Sequence, residues 1–196
     1  MKLSQLIAGY VVLFLLWESG TAAREIHISP SGNDSSHCTS IEPCKTLDHG
    51  LSIALKSNSA QLMLIEGNYS LNEPYSFVNM NTFGLHGTGD VKITCGNANV
   101  SLSFLLSNNI SIERVTLQKC GGWHTSTYTL HKYFPKLQGA LFKTALYFRY
   151  CRNLRVSDVE ISHSPGLGAN LYDVGGVVNV TNSVFANNSG LYDHAI

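Results

Sequence analysis

Charge is what this 196-residue sequence has least of. Asp, Glu, Lys and Arg together make up 13% of it, and 13 basic residues offset 13 acidic ones. A chain that binds nucleic acid or an anionic membrane surface carries a basic excess, so neither partner is expected. A long hydrophobic run is also missing. The longest, from Leu6 to Trp17, covers 12 residues, whereas a helix needs about 20 to cross a bilayer. The eight histidines and five cysteines include no helical His-Glu-x-x-His and no close Cys/His zinc spacing, and the acidic residues are scattered. No metal and no cofactor are expected on that basis.

What is present is apolar or small. Hydrophobic residues reach 44%, with 17 Gly, 9 Tyr, 8 Phe and many Asn, Ser and Thr, a composition of short strands and turns rather than of salt-bridged helices. An all-β chain is the expectation. Lys2, the Leu6 to Trp17 run and the small residues Gly20-Thr21-Ala22-Ala23 before Arg24 have the order of a secretory signal peptide over residues 1–23, so the remainder is expected to be secreted. In an oxidising compartment nearby cysteines pair. Cys38 and Cys44, bracketing a short loop with Glu42 and Pro43, are the expected disulfide. Sequons at Asn33, Asn68, Asn99, Asn109, Asn179 and Asn187 make these the candidate glycosylation sites.

An internal repeat carries the fold. Ile110, Ile112, Val115 and Leu117 are spaced by two, three and two residues; Leu154, Val156, Val159 and Ile161 repeat the spacing, and Val178, Val180, Ser183 and Phe185 repeat it again. Steps of two place side chains on one face of a strand, and a step of three leaves one residue to turn the chain. The last two copies lie 24 residues apart and the first two 44 apart, one period plus an insertion over 121–142. Leu62, Leu64, Tyr69 and Leu71, then Phe83, Leu85, Val91 and Ile93, are looser copies, so the repeat is expected to begin near Gln61. Such a period predicts a parallel solenoid, each coil burying its apolar face only against its neighbours. Roughly five coils at about 4.8 Å spacing are expected. An antiparallel sandwich would instead show hairpin signals every 8–12 residues or so.

The end of a solenoid needs a cover. Thr46 as N-cap, Asp48 in the first turn and the stripe Leu47, Leu51, Ala54 and Leu55 predict a short helix there, making 24–60 an N-terminal cap and 61–196 the β-helix. Gly190 to Ile196 reads as the entry to another coil, so truncation at the C-terminus is expected.

Ile26-His27-Ile28-Ser29-Pro30-Ser31-Gly32-Asn33-Asp34, followed by Cys38 and Pro43-Cys44-Lys45-Thr46-Leu47, resembles the opening of secreted right-handed parallel β-helix proteins of the pectin-lyase-like superfamily. Ser107 to Gly121 and Gly166 to Asn188 look like successive coils of that group. Gly175-Gly176-Val177-Val178 and Phe185-Ala186-Asn187-Asn188 are similar to repeat motifs of polymorphic outer-membrane adhesins. The resemblance implies a right-handed β-helix and leaves activity open, since lyases, hydrolases and adhesins share that fold. Lyases of the group use an acidic calcium cluster with a basic residue, and hydrolases several aspartates with His and Arg; neither cluster is recognisable here.

Asp158 and Glu160 are the best candidate catalytic pair. They flank Val159 and are expected to point outward about 7 Å apart. Arg114 falls over Asp158 in this register, an ordinary surface ion pair, and the catalytic reading ranks second to it. His86 beside Gly87 and His163 before Ser164-Pro165 read as turn residues. Cys95 and Cys120, 25 residues apart, either stack and pair, leaving Cys151, or join it as buried thiols. In the insertion, Trp123, Tyr128, Tyr133 and Phe134 alternate with His124, His131, Lys132 and Lys136. They either pack the loop down or form a binding loop for carbohydrate or a cell-surface protein. The expected function is a secreted, non-catalytic β-helix presenting a contact surface for adhesion. The alternative is a partial or inactive polysaccharide-acting lyase or hydrolase.

Overall fold

In a computed structural model, which describes residues 22–96, 101–121 and 144–189, the two-three-two spacing becomes long strands bent once in the middle. In chain order the elements are β1 (Arg24–Ile28), α1 (Leu47–Ala54), β2 (Ser59–Leu71), β3 (Tyr75–Val78), β4 (Thr82–Cys95), β5 (Leu102–Leu105), β6 (Asn108–Gln118), β7 (Thr144–Arg149), β8 (Arg152–Ser162), β9 (Leu167–Tyr172), β10 (Gly175–Thr181) and β11 (Val184–Ala186). The residue in the three-step turns the chain as its position requires. Arg114, Asp158 and Asn182 all have left-handed backbone, with φ of 53°, 56° and 48°. Asp and Asn tolerate that conformation better than most side chains. In the less regular copies Gly67 and Gly89 take positive φ.

Every strand pairing among the described residues is parallel. One sheet runs β1-β2-β4-β6-β8-β10, with β11 also beside β8; the other runs β3-β5-β7-β9. The chain alternates between them from β2 to β10. The first sheet reaches further back than Gln61: β1 sets Ile26 opposite Leu62 and Ile28 opposite Leu64. α1 packs beside it, starting where Thr46 Oγ1 accepts from the His49 N–H at 3.2 Å, and buries Leu47, Leu51 and Ala54. Leu55, also assigned to the apolar stripe, is exposed.

Register converts the repeat into columns. Ile26, Leu62, Leu85, Ile112, Val156 and Val180 are successive Cα partners through the first sheet. In the second, Phe77, Phe104 and Phe148 are partners whose rings stack at centroid separations of 5.4 and 5.3 Å. Leu154 and Val178 pair, as a 24-residue period requires. The columns are buried until the last copy, where Val178 and Val180 of β10 and Val184 and Phe185 of β11 are 43–55% exposed, since among the described residues no strand pairs with the far edge of β10 or β11. Cys38 pairs with Cys44 and Cys95 with Cys120, while Cys151 is a buried free thiol.

Candidate functional site on the outer sheet face

Alternation sends every second residue of the first sheet outward, so the parallel register builds outer columns as well as inner ones. One runs Gln61, Gly84, Ser111, Arg155; the adjacent one runs Met63, His86, Glu113, Ser157. Five polar side chains from these columns converge. His86 Nε2 lies 2.7 Å from Gln61 Oε1 and 3.3 Å from Ser111 Oγ, and its Nδ1 lies 3.6 Å from Glu113 Oε2. Arg155 donates Nε–H to Glu113 Oε1 at 3.0 Å, and an Arg114 guanidinium nitrogen is 3.8 Å from Oε2.

Gly84 makes the cluster fit. A Cβ at Gly84 would occupy the space of the Gln61 amide oxygen and of His86 Nε2, so the missing side chain is what lets Gln61 of β2 meet His86 of β4. The side chains of His86 and Glu113 are only 16% and 14% exposed. Burial pushes the His86 pKa below the ordinary histidine value; Glu113 pulls it up, and the positive Arg114 and Arg155 add to the depression. The ring is therefore neutral at pH 7. Assigning the ring proton to Nδ1, which faces Glu113, makes Nε2 an acceptor for the Ser111 hydroxyl, and this tautomer requires the Gln61 amide to turn so that its NH2 rather than Oε1 meets Nε2.

This site corrects the reading of His86 as a turn residue: it lies within β4. Arg114 does not stand over Asp158 as an ion pair either. Its left-handed backbone turns it to donate Nε–H to Gly87 O at 2.8 Å, and Asp158 Oδ1 accepts instead from Asn182 Nδ2 at 3.3 Å. Asp158 and Glu160 are both exposed about buried Val159, with Asp158 at the bend. The outer cluster escaped sequence reading because its members are isolated polar residues. Aligning the copies on their inner columns was the signal that would have placed them together.

The other sequence candidates fall as follows. Asn33, Asn68, Asn109, Asn179 and Asn187 are exposed, and Asn109 Nδ2 donates to Asn81 O at 3.2 Å. Asn99, residues 1–21 of the signal segment, and Trp123, Tyr128, Tyr133 and Phe134 lie outside the described residues. His163 follows β8 with φ 57°, a turn position. Cys38, Cys44 and His49 bring their ligand atoms within 4.8 Å of one another, but the two sulfurs are bonded to each other and offer no thiolate. No helix among the described residues is long and apolar enough to cross a membrane. No protein-family model matches the chain, and no curated protein matches it. A solved structure of a rhamnogalacturonan lyase is similar at 13% identity with a TM-score of 0.45, over 84% of this chain and 50% of that one, so the chain spans half the length of the structure it matches.

Proposed function

We infer that the chain is a secreted right-handed parallel β-helix that presents the outer face of its larger sheet for contact with carbohydrate or a cell-surface protein, rather than an enzyme that cleaves glycosidic bonds. Strands that alternate between two parallel sheets support the coil, since crossovers between parallel strands are right-handed in nearly every known case. Two disulfides and the exposed sequons support an extracellular setting. The observation that carries the reading is the convergence of Gln61, His86, Ser111, Glu113 and Arg155 on one face. Donors and acceptors repeat there at the strand spacing of about 4.8 Å, a pitch suited to sugar hydroxyls or an extended peptide. Asp158, at the bend of β8, and Glu160, two residues on, take no part in it. In the insertion, Trp123, Tyr128, Tyr133 and Phe134 enter this reading through composition alone.

The test is retention of the purified secreted chain on glycan arrays and on cell surfaces, compared with Arg155→Ala. A signal reduced by the substitution supports contact through this face. Turnover of a polyuronide or neutral polysaccharide, abolished by Asp158→Asn with Glu160→Gln, would establish the lyase or hydrolase reading in its place.

A further inference from the structure

We propose that Ser111, His86 and Glu113 act as nucleophile, base and orienting carboxylate, hydrolysing a short-chain acyl ester at the outer face of the larger sheet. This goes beyond the contact reading and does not require it. Ser111 and Glu113 are two residues apart on β6, on one face, and His86 is the Cα partner of Glu113 on β4. One imidazole thus reaches both. It does so through opposite nitrogens, Nε2 at 3.3 Å from Ser111 Oγ and Nδ1 at 3.6 Å from Glu113 Oε2, the order that general-base activation of a hydroxyl requires. Arg155 fixes the carboxylate through Oε1. Its Cα is also the partner of Ser111, which places a cation in the nucleophile's own column, where it can face the charge of a tetrahedral intermediate.

The space that the missing Gly84 side chain leaves sets the substrate class. It is occupied by the Gln61 amide, 2.7 Å from Nε2. An acetyl group has about the volume of that amide and takes its place when Gln61 swings aside. Nε2 removes the Ser111 hydroxyl proton as Oγ bonds to the ester carbonyl carbon, and the carbonyl π pair moves to its oxygen. Collapse breaks the bond to the alkoxy oxygen, which leaves as the alcohol with the proton from Nε2. Water, deprotonated by the same nitrogen, then attacks acyl-Ser111, releasing the carboxylic acid and restoring the hydroxyl. Ester and water become acid and alcohol, with no other reactant.

The full secreted chain is treated with a fluorophosphonate probe and the modified residue located by mass spectrometry, alongside acetate release from 4-methylumbelliferyl acetate. The expected result is a single adduct on Ser111, formed about 10²-fold or more slowly in His86→Gln and faster in Gln61→Ala, which removes the competitor for Nε2. Ser111→Ala should abolish both labelling and acetate release. Folded wild-type protein with both disulfides intact that takes no label, or takes it elsewhere, overturns the proposal, and so does His86→Gln labelling Ser111 at the wild-type rate. Because the adduct position is read in the wild type, loss of folding in a variant leaves the proposal decided.

Discussion

Asp34 joins the N-terminal loop to α1. Its Oδ1 accepts the N–H groups of Lys45 and Thr46 at 2.8 and 2.9 Å, and Oδ2 accepts the Thr46 hydroxyl at 2.8 Å. Burial alone would raise its pKa, but these bonds and the nearby His49 hold it below the ordinary carboxylate value. A depressed acid contributes stability above its unfolded-state pKa and loses it as pH falls through the folded one. Asp34→Asn should therefore lower stability at pH 7 by about 1 kcal/mol, with the difference closing below about pH 4, as urea melts at the two pH values would show. Gly84 offers a second test at this scale. Gly84→Ala displaces the Gln61 amide from His86 and opens the ring to water, so an NMR titration should find the His86 pKa, depressed in the wild type, moving back up toward the ordinary value.

Among the elements, the two disulfides differ in what they close. Cys95–Cys120 spans 25 residues and Cys38–Cys44 spans 6. Loop-closure entropy gives about 3.5 kcal/mol for the first and about 2 kcal/mol for the second, so replacing Cys95 and Cys120 by alanine should lower the unfolding midpoint more than replacing Cys38 and Cys44. α1 was legible because Thr46, Asp48 and the Leu47, Leu51, Ala54 stripe all point the same way, and β6 and β8 because polar and apolar residues alternate along them. The second sheet was not. Leu102–Leu105 and Thr144–Arg149 are buried at every position, on both faces, so they carry no period to read. β1 escaped for a different reason: five residues hold too few inner positions to show the two-three-two step.

Over the whole molecule, the value of a side chain depends on where its copy stands. Val156 and Val180 are partners in one column, yet the first is 3% exposed and the second 47%. Val156→Ala should cost about 2 kcal/mol, and Val180→Ala less than about 0.5 kcal/mol, measured as urea midpoints with a shared slope. The inner columns were visible in the sequence because burial repeats their apolar residues. The outer ones were hidden because nothing in their chemistry forces Gln61, His86, Ser111 and Arg155 to look alike. α1 packs beside β1 at one extremity while β10 leaves Val178 and Val180 bare at the other, so the molecule has a direction. Fraying should start at the valines and travel back toward the helix, with amide protons of β10 exchanging first and those of β2 and β4 among the last.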